Sequence, residues 1–135
     1  MDNKLLEEIK SKLINILPTE SEIDTGFYGV KFYRRNNAEN THTCIQCPCI
    51  IFVANGEKYT HISNENFIFK KGYYNITYID YPVSSHFYNI SKDNPYLSIY
   101  MPVDRNIITE IIQNIHHIPN TVFKGISENK ADNKL

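Results

Sequence analysis

The fold is decided by residues 49–88, which read CIIFVANGEKYTHISNENFIFKKGYYNITYIDYPVSSHFY. Short runs rich in Tyr, Phe, Ile, Val and Thr alternate here with turn residues, a rhythm typical of an all-β sandwich or barrel. Asn55-Gly56 is the strongest hairpin signal, because both residues tolerate the positive φ of a tight type I′ turn. Working outward, we predict strands at residues 27–34, 42–46, 49–54, 58–62, 66–70, 74–80, 83–90 and 96–101.

A helix is predicted on each side of the strands. In residues 3–17 the apolar side chains recur at three- and four-residue intervals, with Asp2 or Asn3 as N-cap and Pro18 as the stop. Pro102 and Asp104 open a second helix with five isoleucines on one broad face, at positions 107, 108, 111, 112 and 115. We therefore expect one domain made of a helix and lead-in (1–24), a β-barrel (25–102), a helical segment (103–126) and a flexible polar tail (127–135).

Composition narrows the class of protein. A chain of 135 residues with 41% hydrophobic and 21% charged residues is typical of one globular domain, which excludes collagen-like and wholly disordered classes. The chain has a formal net charge of -1, so it lacks the excess of basic residues with which free-standing nucleic-acid binders neutralise phosphates. We therefore do not expect this chain to bind DNA by itself.

The N-terminus and the cysteines indicate the compartment. Charges interrupt the first turns, so no secretory signal is predicted, and no apolar run approaches the roughly 18 residues that span a bilayer. Cys44, Cys47 and Cys49 are an odd number within six positions, which cannot form a fully paired disulfide framework within one chain. We expect a cytoplasmic protein with no membrane partner.

The cysteine and histidine side chains allow three interpretations, which are a metal site, a redox role and inert packing. His42, Cys44, Cys47 and Cys49 carry ligands soft enough for zinc or copper, yet strand alternation puts the first two and the last two on opposite faces. The same thiols are open to a redox role or to inert packing. His61 and His86 are a second candidate metal pair, meeting across the barrel. We predict no metal site, because no His-x-His pair lies on a predicted strand. We also predict no cofactor and no catalytic residue, because neither a nucleophile elbow nor a phosphate loop is present.

Four stretches carry a family resemblance, in this order along the chain: TGFYGVKFYR (25–34), CPCIIFVANGEK (47–58), KGYYNITYIDYPV (71–83) and NPYLSIY (94–100). Their order and spacing resemble the N-terminal cupin domain of AraC-type transcriptional regulators, over residues 25–115 or so. The resemblance implies a mainly β fold, a cupin-like double-stranded β-helix (jelly-roll) barrel that senses a small-molecule effector. It also implies a homodimer, and DNA binding only through a helix-turn-helix half that lies outside this chain.

Strand alternation selects the candidate residues. Tyrosines on neighbouring strands offer stacking faces and hydroxyls, and an arginine at the end of the first strand offers a fixed cation. The predicted ligand-binding residues are Arg34, His42, Tyr78, His86, Tyr88 and Tyr100, and the predicted dimerisation residues are Ile108, Ile111, Ile112 and Ile115. The alternative function is a stand-alone small cupin that binds or transforms a small molecule, with a metal held by the cysteine and histidine side chains.

Overall fold

A computed structural model of the chain describes residues 2–38, 42–77 and 80–114. The helices in these ranges are α1 (Asn3–Ile16) and α2 (Arg105–Gln113). The strands are β1 (Ser21–Asp24), β2 (Lys31–Arg35), β3 (His42–Gln46), β4 (Cys49–Asn55), β5 (Glu57–Ile62), β6 (Glu65–Lys70), β7 (Tyr74–Thr77), β8 (Tyr81–Tyr88) and β9 (Tyr96–Pro102).

The strands form two antiparallel sheets that face each other. One sheet has the order β1-β2-β9-β4-β7 and the other β3-β8-β5-β6. Between β2 and β9 the chain crosses from one sheet to the other at every connection except the β5–β6 hairpin, which is a jelly-roll arrangement. The predicted mainly β fold with a helix on each side is confirmed, as a barrel-like sandwich of the two sheets.

Apolar side chains lie on both faces of the five-stranded sheet. Between the sheets, Val53, Phe69 and Phe87 belong to the larger core cluster. On the opposite face, Ala54 and Leu97 pack with Leu13 of α1. The Asp2 carboxylate caps the start of α1 by accepting a hydrogen bond from the Lys4 amide at 3.0 Å. The packing of Leu13 places α1 over the outside of this sheet.

The prediction of a hairpin at Asn55-Gly56 is wrong. β4 pairs with β7 and β9, whereas β5 pairs with β6 and β8, so Asn55 and Gly56 form the corner at which the chain changes sheet. Gly56 has the positive φ (82°) that the sequence suggested, but Asn55 is buried and donates to the Pro95 carbonyl at 2.7 Å. The tight hairpin in this region is instead at Ser63-Asn64, between the paired residues Ile62 and Glu65.

Two boundaries near the N-terminus also differ from the prediction. Residues 27–30 form a turn and not the start of a strand, since the Val30 amide donates to the Phe27 carbonyl and Tyr28 has a φ of 51°. The lead-in holds β1, a strand that the sequence analysis missed and that pairs with β2. The 1–24 segment therefore extends the sheet. The second helix follows Asp104 as predicted, and the predicted tail at 127–135 lies outside the described residues.

Candidate functional site

A cavity of about 420 Å³ lies between the two sheets. This volume falls in the range of small-molecule sites, roughly 300–1,000 Å³. Strand β3 forms part of the cavity wall, and because Cys44 and Cys47 are exposed, the cavity reaches the surface there. Its lining residues are Lys31, Tyr33, Arg35, His42, Thr43, Cys44, Ile45, Gln46, Cys47, Ile51, Lys58, Val83, Ser85, Phe87, Tyr96, Ser98 and Tyr100.

On β8 and β9, strand alternation explains which side chains reach the cavity. On β9 the residues at 96, 98 and 100 line it, while Leu97 joins the core under α1. On β8, Ser85 and Phe87 line it, and Ser85 shares a 2.9 Å hydrogen bond between hydroxyls with Thr60 of β5. The floor of the cavity is thus held by regular strands, which suits a preformed binding site.

Lys58 is the most unusual of these side chains. The residue keeps some accessible surface on the cavity, but its ammonium is enclosed, and this burial lowers the pKa of Lys58 to about 8. The ammonium nitrogen lies 4.8 Å from the centre of the Phe69 ring and 5.9 Å from that of Tyr96. These ring faces attract a cation but replace only part of its hydration.

We expect Lys58→Met to raise the free energy of unfolding by about 2 kcal/mol at neutral pH. The pKa of Lys58 falls from 10.5 to about 8 on folding. Each unit of this pKa difference disfavours the folded protein with a charged Lys58 by about 1.4 kcal/mol. The lost contacts with the two rings offset about 1 kcal/mol of this gain. Denaturant unfolding monitored by circular dichroism measures the change.

The pH profile tests the cause of that stabilisation. Below about pH 8 the lysine is charged in both states, so the advantage of methionine is constant. Between about pH 8 and 10.5 the folded protein releases the proton and the unfolded chain keeps it, so the advantage must shrink as pH rises. Lys31→Met, in the same cavity, is the matched control and should change stability little. A destabilised Lys58→Met, or an advantage that is flat to high pH, would contradict this account.

The hydroxyl of Tyr96 is a second unusual group in the cavity. Tyr96 is 2% exposed, and its hydroxyl has no hydrogen-bond partner among the described residues. Burial is the largest influence and keeps the pKa of Tyr96 well above its usual value, although the nearby Ser98 side chain acts in the opposite direction. A buried donor without a partner is uncommon and asks for an explanation.

Two of the predicted ligand-binding residues line the cavity. His42 enters it from β3 and contacts the Phe87 ring edge-on, with 5.9 Å between ring centres. Tyr100 enters it from β9, beside Tyr33, with 6.4 Å between ring centres. Tyr78 lies outside the described residues.

Arg34 does not line the cavity, which corrects its predicted placement. Its guanidinium donates to the Leu17 carbonyl at 2.7 Å, to the Lys92 carbonyl at 3.1 Å and to Asn36 at 3.0 Å. Arg35 is the next residue of β2, and its side chain points to the other face of the strand. Arg35 is therefore the arginine in the cavity wall. Arg35 also forms an ion pair with Glu22 at 3.7 Å.

His86 and Tyr88 are likewise absent from the cavity wall. Both alternate with Ser85 and Phe87 and therefore lie on the outer face of the four-stranded sheet, where the His86 ring stacks on Tyr59. His61 shares this outer face and its Nδ1 bonds to Asn66 at 2.7 Å. The two histidines consequently do not meet inside the barrel.

Lys58 and Ser98 are among the cavity residues that sequence reasoning missed. Alternation with Thr60 and Ile62, which are both buried, was the available signal for Lys58. The interpretation of Asn55-Gly56 as a hairpin hid it, because a hairpin would have paired β5 with β4 in the wrong sheet.

The cysteines do not converge with histidines in the described part of the chain, where no group of three His, Cys, Asp or Glu side chains has a geometry that fits a metal ion. Cys44 and Cys47 are exposed, whereas Cys49 is buried beside Gln46 and Thr77. Burial raises the pKa of the Cys49 thiol to about 11. The three thiols therefore differ in reactivity.

We expect a disulfide reagent at about pH 8 to modify Cys44 and Cys47 rapidly and Cys49 only after unfolding, because the thiolate is the reactive form. Counting released chromophore with and without denaturant gives the stoichiometry. Cys49→Ser should remove the slow thiol and leave the fast phase intact. Rapid modification of all three thiols in the folded protein would contradict the burial of Cys49.

Among the described helices, neither is long and apolar enough to cross a membrane.

Comparison with known proteins supplies a family. A search of curated proteins and a search of solved structures each found no match. A family model described as AraC-type transcriptional regulator N-terminus matches residues 27–135, which include strands β2 to β9 and α2. Since this match covers most of the sequence, the chain belongs to the family of N-terminal domains of AraC-type transcriptional regulators.

Proposed function

We propose that this chain is the effector-sensing and dimerisation domain of an AraC-type regulator, and that the cavity between its sheets is the effector site. The family and the cavity of about 420 Å³ support this role together. In this proposal the cupin-type barrel binds the effector without transforming it, works in the cytoplasm, and reaches DNA only through a helix-turn-helix half of the regulator.

The effector acts by differential binding, since a ligand shifts a conformational equilibrium only if it prefers one conformation. Strand β2 offers a path for that preference. Arg35 lines the cavity, while the neighbouring Arg34 holds the Leu17 carbonyl at the end of α1. A ligand that moves Arg35 therefore acts on the strand that anchors the N-terminal helix.

The test is a ligand screen on the chain itself. Chemically diverse small molecules are added, and the melting temperature and the amide resonances of β9 are followed. We expect at least one class to raise the melting temperature with concentration and to shift the resonances of Ser98 and Tyr100. Ser98→Phe, which fills the cavity, should abolish both effects. Ligands that act equally on Ser98→Phe would contradict a site in this cavity.

The dimerisation part of the proposal rests on α2. Ile107 is 52% exposed and Ile111 is 54% exposed, four residues apart on one face of the helix. Ile108 is half-buried, whereas the Ile112 side chain and Ile115 lie outside the described part. A second copy of the same helix is the partner that an isologous apolar stripe fits.

We expect Ile111→Glu to convert a dimer to a monomer, because it places a charge in the apolar stripe of both copies. Gln113→Glu adds the same charge at another exposed position of α2 and should leave the dimer unchanged. Sedimentation equilibrium measures the mass of each. A wild-type monomer, or an Ile111→Glu dimer of unchanged affinity, would exclude this interface.

A further inference from the structure

The cavity carries a local excess of positive charge. Its wall includes Lys31, Arg35 and Lys58, and no Asp or Glu is among the described residues that line it. The chain as a whole has a formal net charge of -1, so this excess is a local feature and not a general basicity of the chain. A concave site with one sign of charge concentrates ligands of the opposite sign.

Lys58 is the enclosed cation of the cavity, and no carboxylate pairs with it in the described part of the chain. Arg35 has Glu22 beside it, but within residues 2–38, 42–77 and 80–114 the ammonium of Lys58 meets ring faces and no carboxylate. An enclosed charge without a partner is strongly unfavourable. Burial lowers the pKa of Lys58 only to about 8, so the group is still protonated at neutral pH and available to an anion.

Tyr96 provides an independent indication of the same ligand. Its hydroxyl is buried, has no partner among the described groups, and belongs to a residue of the cavity wall. The ring that carries this hydroxyl is one of the two that the Lys58 ammonium faces. A phenol donor and an ammonium on adjoining walls are both donors, so the group they bind together is an acceptor with negative charge.

Part of the rest of the wall is apolar or aromatic. Ile51, Val83 and Phe87 lie between the sheets, and the rings of Tyr33 and Tyr100 stand edge to face nearby. These surfaces take a hydrocarbon body, as in most small-molecule sites. Lys58 is the cation of the wall that is enclosed between ring faces, and one enclosed charge matches a singly charged head group better than a phosphate dianion.

We propose that the cavity binds a small amphipathic carboxylate, with its carboxylate held by Lys58 and Tyr96 and its apolar body between the two sheets. This inference rests on the proposed function, in which the same cavity is the effector site. The bound carboxylate gives the buried Lys58 ammonium a counter-ion, which relieves the free-energy cost of burying that charge. It also supplies the missing partner of the Tyr96 hydroxyl.

The experiment compares matched carboxylates and amides. Phenylacetate and 3-phenylpropionate are titrated into the protein at neutral pH beside phenylacetamide and 3-phenylpropionamide, which have the same bodies and no charge. Affinities come from amide chemical shifts of the cavity strands. We expect a carboxylate to bind about tenfold or more tightly than its amide, a preference typical of a hydrogen bond to a charged group. Lys58→Met should remove that preference and Lys31→Met should keep most of it.

Neutral and cationic fragments of similar size are screened in the same way. Amides or cations that bind as well as the carboxylates, or a carboxylate preference that survives in Lys58→Met, would overturn the carboxylate assignment and leave the cavity as an effector site. If no fragment shifts the cavity resonances, whether it is anionic, neutral or cationic, the proposed function fails as well. Lys58→Met is expected to fold, because it removes an unfavourable buried charge.

Discussion

Replacing Gly56 by alanine is expected to lower the free energy of unfolding by about 3 kcal/mol. Gly56 has a φ of 82°, a left-handed conformation that costs an L-residue about 1–2 kcal/mol. An added Cβ would also lie 3.0 Å from Tyr96 Cα and 3.3 Å from Ile90 Cγ2. Because the first of these is a backbone atom, the corner must shift, which adds about 1–3 kcal/mol. Chemical denaturation measures the loss.

Gly26→Ala is the matched control for the corner. Gly26 has a similar φ of 72°, but an added Cβ there meets nothing within 4 Å. It should therefore show the conformational part alone, about 1 kcal/mol. Equal losses of stability in the two variants would mean that the close contact between the added Cβ and Tyr96 costs no free energy. The corner also brings β5, and with it Lys58, into the sheet opposite β4, so a damaged corner should weaken ligand binding as well.

Arg34→Met is expected to destabilise the domain by about 3–4 kcal/mol. The arginine is 5% exposed and joins the end of α1, the loop at Lys92 and Asn36. Methionine fills much of the same volume, but it leaves the carbonyls of Leu17 and Lys92 without the charged donor that pairs them. Each buried polar group that loses its partner costs about 1–3 kcal/mol.

The control for Arg34 is an arginine at the surface. Arg105→Met removes an exposed ion pair with both oxygens of Asp80, at 2.6 and 2.8 Å, and should change stability by less than about 1 kcal/mol. Arg34→Lys keeps the charge but not the planar fork, so it should fall between wild type and Arg34→Met. Losses of the same size in Arg34→Met and Arg105→Met would show that burial of the fork contributes nothing.

Adjacent arginines illustrate how two roles are separated on one strand. Arg34 faces α1 and holds a helix terminus, whereas Arg35 faces the cavity and is paired to Glu22 of β1. If a ligand displaces Arg35, the strand can transmit the change to Arg34 and the end of α1. This gives the proposed effector response a physical connection to a part of the domain that the ligand does not touch.

The sequence by itself determined the local structure. Apolar residues at helical spacing and the Asp2 cap predicted α1 almost to its last residue, and runs of β-branched and aromatic residues located eight of the nine described strands. Such patterns are short-range, since they follow from the 3.6-residue and two-residue periods of the elements. The same alternation predicted that His42 and Tyr100 belong to one interior.

Tertiary structure decided which sheet each strand joins and which face is the inside. Asn55-Gly56 has the composition of a hairpin, but packing against Ile90 and Tyr96 makes it a corner between sheets. Arg34 and Arg35, or His86 and Phe87, lie on opposite faces by strand alternation, and only the packing of the two sheets decides which face is the inside. Lys58 becomes a binding candidate only when β5 lies opposite β9, because its missing counter-ion is a property of residues far apart in the sequence.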